Sequence, residues 1–368
     1  MNKSILIIIL FCNSLLISPL FGGLLQNTFE GVRPMGMGNA FIALSDDANA
    51  VWYNPAGLAD IEGVHVNVFN FILGVDSKDT LDRIGNAIFK GDSDHLIGEG
   101  KKFVRFNFMP NIVIPHFGIS IFSQTKGNFD TSDLTNQGLD VHAHHDQGAI
   151  AGGAISLSDY FSVGASLRAF YRAGIDLTLT PSEIIAQYGA NAANLMDDIY
   201  TELSSRAGHG YAFGLNAGIK LKIPLPTKNR FSPYFYLAAT AEDIGNTTFR
   251  AIGSQLPPTS IKQSFNFGGA IVYPFAKNWK WNLTTDIKHA LEPTDFIRQF
   301  HLGTELRHSI FGIRAGANQG YLTYGFSFEF PPHTKVHFSS YGVELGNRRW
   351  EKEQRTYLLQ LNIGFNPI

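Results

Sequence analysis

The chain has 368 residues, and its 29 Lys and Arg stand against 31 Asp and Glu, a net charge of −2 that gives nucleic acid no basic surface to read. One cysteine excludes a disulfide framework and a thiolate metal site. With 37 Gly, 30 Phe and no βα alternation, the composition argues against an ordinary soluble two-domain enzyme.

Met1 to about Gly23 has the physics of a secretory signal peptide. Lys3 supplies the positive start, Ile5 to Leu16 an apolar core too short to span a bilayer, and Pro19 a helix break. Ser18, Gly22 and Gly23 are small enough for a cleavage site. A membrane anchor is the rival reading, but no stop-transfer charges follow. Lipidation at Cys12 has the large Phe11 against it, because such a site needs a small residue there. Cleavage at this point leaves a mature chain without cysteine.

Gly31 to Leu58 is Gly-rich, then briefly helical, then turns at Asn54-Pro55. Gly36 and Gly38 do not form a dinucleotide cradle, since no strand precedes them and the third glycine is missing. Ser45 reads as an N-cap with Asp46 and Asp47 in the first helical turn, a helix running to about Tyr53. Asn54 then caps a second turn with Pro55 at its first position, followed by Ala56 and Gly57. On residue chemistry alone this is a helical appendage to a β-domain.

Downstream, segments of period 2 recur. Tyr211, Phe213, Leu215, Ala217, Ile219 and Leu221 oppose Ala212, Gly214, Asn216, Gly218, Lys220 and Lys222. Leu322, Tyr324, Phe326 and Phe328 oppose Thr323, Gly325, Ser327 and Glu329, and similar alternation marks Val64–Phe71, Phe161–Ala169, Trp279–Lys288 and Gln299–Arg307. One greasy and one polar face fits either a sandwich or a membrane barrel. Segments of ten residues or more and aromatics at their ends (Tyr273, Trp279, Phe330, Tyr357) favour the barrel. Fourteen spans are expected: 63–74, 102–113, 117–125, 147–157, 160–173, 208–222, 233–243, 263–273, 279–289, 298–308, 310–318, 321–330, 335–345 and 355–365. Pro110 lies within the second and predicts a local irregularity there.

Short turns at Pro115-His116, Ser158-Asp159, Ala276-Lys277-Asn278 and Pro331 to Thr334 predict one rim, facing the periplasm. The turn from Leu225 to Ser232 on that rim is longer. Long connections over 75–101, 126–146, 174–207 and 244–262 predict the outer rim. Two of these carry helical stripes. Thr80 to Phe89 has Leu81, Ile84 and Ile88. Pro181 to Arg206 has Ile184, Ile185, Tyr188, Leu195, Met196 and Ile199 among its apolar positions. Such a stripe either caps the barrel mouth or forms an apolar groove where a ligand first lands. His142, His144 and His145 offer nitrogen ligands on an expected outer loop, though a solvated polar loop is the simpler reading. Arg168, Arg172, Lys220, Lys222, Glu305, Arg307 and Arg314 read as interior charges that pair with one another or hold a plug. No nucleophile-elbow, zinc-protease or P-loop motif occurs.

The N-terminal stretch resembles the hatch of the FadL-like long-chain fatty-acid transporters of outer membranes, in the PorV-like and uncharacterised spirochaete-type branch. The matching residues are Gly31, Arg33, Gly36, Met37, Gly38, Ala40, Phe41, Ala43, Asp46, Asp47, Ala50 and Asn54 to Leu58. The resemblance implies an all-β membrane protein: an antiparallel barrel of about 14 strands with an N-terminal hatch inside its lumen and helical extracellular loops. It divides the chain into a signal peptide (1–23), a hatch (24–62) and an outer-membrane barrel (63–368). The implied function is passive, hatch-gated uptake of hydrophobic small molecules such as fatty acids, with no cofactor, no metal and no enzymatic activity. In this reading Asn54, Pro55 and Ala56 set the hatch turn, and Gly36 and Gly38 let its backbone bend near the wall. The partners are those molecules, outer-membrane lipid and, during biogenesis, the barrel-assembly machinery. The final strand, Tyr357 to Phe365, resembles the aromatic-ended signal read by that machinery, although Asn366-Pro367-Ile368 follow it. A barrel that docks secreted proteins, or a purely structural one, is the alternative; an outer-membrane lipase ranks last.

Overall fold

The computed structural model describes residues 28–90, 101–130, 138–188, 207–227, 231–253, 256–330, 334–345 and 350–365. The expected signal peptide, with Cys12, lies outside them, as do Leu195, Met196 and Ile199. Among the described residues sixteen strands run in chain order: β1 (His65–Val75), β2 (Lys101–Phe108), β3 (Asn111–Ile114), β4 (Phe117–Asp130), β5 (Leu139–Ser158), β6 (Phe161–Leu179), β7 (Gly208–Pro224), β8 (Tyr234–Glu242), β9 (Arg250–Ala251), β10 (Ser264–Ala276), β11 (Trp279–Ile287), β12 (Phe300–His308), β13 (Phe311–Asn318), β14 (Tyr321–Phe330), β15 (Thr334–Glu344) and β16 (Glu353–Phe365). β2 and β3 share one wall position and β9 only borders β7, so the wall has fourteen positions. Every pairing is antiparallel, and β16 returns to β1 with Tyr357 opposite Val75 and Phe365 opposite Val66, which closes the barrel and leaves the sheet no edge.

The alternation expected from sequence is the in–out alternation of this wall. On β7, Phe213 is 73% exposed while Asn216 and Lys220 on the opposite face are buried; on β14, Leu322 is 76% exposed and Thr323 is buried. The outer face is thus an apolar belt. Near the short turns it carries aromatics in contact: Phe275 with Trp279, Trp279 with Phe311, and Phe328 with Phe330. No helix among the described residues is long and apolar enough to cross a membrane, which says nothing of a β-barrel.

Several boundaries differ from expectation. The second strand breaks at Met109-Pro110 because proline has no N–H for the ladder. The break is sealed: Ile121 N–H and the Ser120 hydroxyl both donate to Pro110 O, and Asn111 Nδ2 to Met109 O. β1 carries a bulge at Val68, so Val68 and Phe69, though adjacent, are both exposed. β4, β5 and β6 run well past the expected spans, β5 for 20 residues. His142, His144 and His145 therefore lie in β5 and not in a loop. A four-residue helix, Phe296–Gln299, capped by the Asp295 side chain, precedes β12 where strand was expected.

The interior is filled. Residues from Phe29 to Leu58 include Met35, Met37, Phe41, Ile42, Leu44 and Val51, all at 2% exposure or less. They pack against inward side chains of the wall that are themselves apolar, among them Ile72, Val113, Ile150, Val272 and Leu358. A hydrophobic core thus forms between the N-terminal segment and the wall, inside a barrel whose other inward residues are polar.

Candidate functional site

The N-terminal segment is built from three short turns. Val32–Gly36 forms the first, Ala50–Tyr53 the second and a 3-10 helix, Pro55–Asp60, the third. Ser45 is not an N-cap. Its φ is +20°, its hydroxyl donates to Phe41 O at 2.8 Å, and the helix begins only after Asn49. Asp46 and Asp47 are drawn away from the helix start by Arg33, whose Nη1 lies 2.5 and 2.8 Å from their carboxylates. Asn54 caps the 3-10 helix, accepting from Ala56 N–H at 3.1 Å with Pro55 at the first position. Its amide donates to Ile42 O and to Ile219 O of the wall.

Attachment to the wall extends around most of its circumference. The Arg33 guanidinium meets Glu305 on β12 through Nε (2.9 Å) and Nη2 (2.6 Å), and Glu305 also accepts from Arg314 and Asn282. Asp286 on β11 accepts the N–H groups of Phe41 and Ile42. Thr323 on β14 accepts Gly38 N–H, and His301 on β12 meets Gly38 O. Lys220 on β7 donates to Leu44 O and pairs with Asp60; Ser162 on β6 donates to Ala56 O. Glu30 lies among Arg105, Lys126 and Tyr341. Burial alone would lower the affinity of Arg33 for its proton, but Asp46, Glu305 and Asp47 outweigh it and hold the guanidinium firmly charged. Burial pushes Asp46 upward, and Arg33, Lys280 and Arg307 override it and hold that carboxyl well below the usual range.

Glycine permits the closest approaches. Gly38 has φ +66°, and a Cβ there would lie 2.3 Å from Leu302 O and 2.4 Å from Ala317 O of the wall. On the other side, a Cβ at Gly218 would lie 2.0 Å from Asn54 Oδ1. Gly36 approaches Gly325, and Gly57 is buried against Ser45.

A run of rings crosses the interior. Phe29 stacks on Trp52 at 4.8 Å, Trp52 meets Phe122 at 5.1 Å, Phe122 meets Phe170 at 6.3 Å, and Phe170 meets Phe249 at 5.4 Å. Phe249 comes from the long connection after β8, folded inward. Arg168 and Arg172 lie over these rings while paired with Asp243 and Asp146. The alternation reading missed this run. Its signal was Phe170 in the polar phase of β6, between Arg168 and Arg172.

At the short-turn end of the interior lies a cavity of about 180 Å³. Phe29, Val51, Trp52, Ile61, Met109 and Val113 line one side; Arg33, Arg307, Arg314, Lys335 and His337 line the other, with Asp46 and Asp47 between. Beyond Phe29 and Trp52 sits a separate void of about 10 Å³ lined by Tyr53, Arg168 and Asp243, and a further one of about 20 Å³ adjoins Glu30 and Tyr341. The Phe29–Trp52 stack lines both the cavity and the void beside Arg168 and so lies between these two.

Ile184, at 4% exposure, packs with Leu139, Val141, Leu177 and Leu179. In β5 this is the strand face opposite the one that carries Asp146. The helix containing Ile185 and Tyr188 ends at Tyr188. Both ring nitrogens of His142 are engaged, with Asp140 at 3.1 Å and Asp176 at 2.7 Å, and His145 lies on the opposite strand face against Thr125. No metal-holding group of three His, Cys, Asp or Glu occurs among the described residues.

No family model matches the chain, and no curated protein matches it in sequence. Its fold is similar to that of the TodX monoaromatic hydrocarbon channel in a deltaS2 mutant form (TM-score 0.52, 14% identity, 91% of this chain and 97% of that one). It is similar as well to that of the Ralstonia pickettii toluene transporter TbuX (TM-score 0.51, 14% identity, 92% and 99%) and of the P. putida toluene transporter TodX (TM-score 0.50, 14% identity, 92% and 98%). At these identities the likeness is one of fold.

Proposed function

We propose that this protein is an outer-membrane channel for passive uptake of hydrophobic small molecules, with residues 24–62 acting as its hatch. The long connections face outward, the short turns face the periplasm, and Met1–Gly23 is removed on export. The observation that carries the reading is the Phe29–Trp52 stack between the small void beside Arg168 and the cavity at the short-turn end. The ring run from Phe249 to Phe29 supplies apolar contact along the way. The monoaromatic and toluene substrates named for the similar folds agree with this class of cargo, and long-chain fatty acids belong to it. The resemblance of Gly31 to Leu58 to the hatch of FadL-like proteins supports the same reading, and it is the sole support for the PorV-like branch.

Expulsion of the whole hatch is disfavoured. Its hydrogen bonds to the wall are worth about 1 kcal/mol net each and its charged ones more, and they act on most of its length. The Phe29 side chain is the exception in kind, although its neighbours are tied to the wall, Thr28 to Asp243 and Glu30 to Arg105 and Lys126. Phe29 is held by ring contacts with Trp52 and Tyr53 and by Arg105 over its face. Opening is therefore a local swing of Phe29 off Trp52, with Arg33 and everything after it staying in place.

The test is initial uptake of labelled long-chain fatty acid and of toluene by intact cells. It compares wild type, the Asn54→Ala/Pro55→Ala double variant and cells without the protein. Protein-dependent uptake altered by the double variant supports a hatch-gated channel. Background uptake from a folded barrel moves the assignment to a docking or structural role.

A further inference from the structure

The cavity at the short-turn end is amphipathic in a way that passage of hydrocarbons does not require. Its apolar side is Trp52, Met109 and Val113. Its other side presents two guanidinium groups with unused donors. Arg314 is 4% exposed, and with Nε on Glu305 and Nη2 on Ser327 its Nη1 is buried without a partner. The side chain of Arg307, on the same inward face of β12 as Glu305, makes no hydrogen bond or ion pair among the described residues, and its charge reaches Asp46 only at longer range. Of the acids that line the cavity, Asp46 and Asp47 are committed to Arg33, Asp46 also to Lys280, and Glu329 to Lys335, while Glu62 lies next to Ile61. A buried donor without an acceptor is costly, and an anion entering the cavity would supply one.

Size narrows the ligand further. The volume, about 180 Å³, is close to the roughly 150 Å³ of an apolar cavity that holds one benzene ring, and too small to enclose an extended long-chain acid. We propose that this cavity is a binding site for single-ring carboxylates, the ring against Met109, Val113 and Trp52 and the carboxylate on Arg307 and Arg314. The inference rests on the reading of the barrel interior as a path for small apolar molecules. It adds a selective site on the far side of the hatch, where a ring that carries an anionic group is held more tightly than the bare hydrocarbon.

Titration calorimetry on the purified, detergent-solubilised protein tests it with benzoate, toluene and benzylamine, which share the ring and differ in charge. Benzoate should bind the wild type about tenfold or more tightly than benzylamine, and Arg307→Gln should weaken benzoate about tenfold while leaving toluene unchanged. Arg307→Lys should recover part of the loss. Heat-dependent gel mobility checks that each variant is a folded barrel. Benzylamine binding as tightly as benzoate, or no benzoate binding at all, overturns the proposal from the wild type alone. Benzoate binding unchanged in a folded Arg307→Gln protein also overturns it. Toluene uptake by cells is read separately, so failure of the channel reading is distinguishable from failure of this site.

Discussion

Arg33 and Glu305 lie 272 residues apart in sequence and meet through two parallel hydrogen bonds of 2.9 and 2.6 Å inside the barrel. The pair is buried, and Glu305 serves Arg314 as well, so one carboxylate bridges two guanidinium groups from different elements. Glu305→Gln leaves Arg314 buried without a carboxylate, while Arg33 keeps Asp46 and Asp47. The expected cost is about 3 kcal/mol or more, because loss of one member of a buried pair strands the other. Thermal unfolding in detergent should show a lowered midpoint, and hydrogen exchange should rise across residues 31–47 before it rises in the wall.

Acid should loosen the hatch only late. Asp46 is held below its ordinary pKa by Arg33, Lys280 and Arg307 against the upward push of burial. A depressed folded-state value means that its stabilisation is complete above the unfolded pKa, about 4, and is lost as pH falls through the lower folded value. Exchange of backbone amides in residues 28–63, corrected for the intrinsic pH dependence, should be constant from pH 8 to 5 and increase below about pH 4. An increase already between pH 7 and 6 would contradict this assignment.

Gly38→Ala should detach the first turn of the hatch. The position has φ +66°, and its Cβ would overlap the carbonyls of Leu302 and Ala317. A cost of at least about 2 kcal/mol follows from the strained backbone and the displaced contacts. The N–H of Gly38 would leave Thr323, and protease sensitivity within residues 31–47 should appear while heat-dependent mobility of the barrel persists.

Asn54→Ala should cost about 1–2 kcal/mol as a lost cap and leave Ile42 O and Ile219 O without their donor. Asn54→Asp keeps the acceptor for Ala56 N–H but not the donor. Comparing the unfolding midpoints of the two variants separates the capping contribution from the wall contact.

Much of this fold was legible in the sequence because a membrane wall obeys one rule. Apolar and polar residues alternate at the backbone period, and Phe213 and Leu322 fall outside while Asn216 and Thr323 fall inside, as the pattern predicts. The cap at Asn54-Pro55 was legible too, since it depends on neighbours in sequence. Ser45 was misread because its alternative partners are remote: Arg33 takes the adjacent carboxylates, and the chain turns before a helix can start there. The lengths of β4 to β6 were misread for a related reason. His142, His144 and Asp146 look like loop residues until Asp176, Arg172 and Gln124 are seen to face them from neighbouring strands. The inward aromatics escaped because alternation assigns a face and not a partner; Phe122 and Phe170 face Trp52 and Phe249, which come from outside the strands.

The most direct measurement is the initial rate of labelled toluene uptake by intact cells carrying the wild type, the Phe29→Ala variant or no barrel. Intact cells are needed because a bare phospholipid bilayer passes toluene unaided. Removing the ring abolishes the stack on Trp52 without touching the bonds from Arg33 onward. The account predicts protein-dependent uptake in the wild type and a several-fold faster rate in Phe29→Ala. Uptake at the level of cells without the barrel for both proteins, with both folded in the membrane, would contradict it.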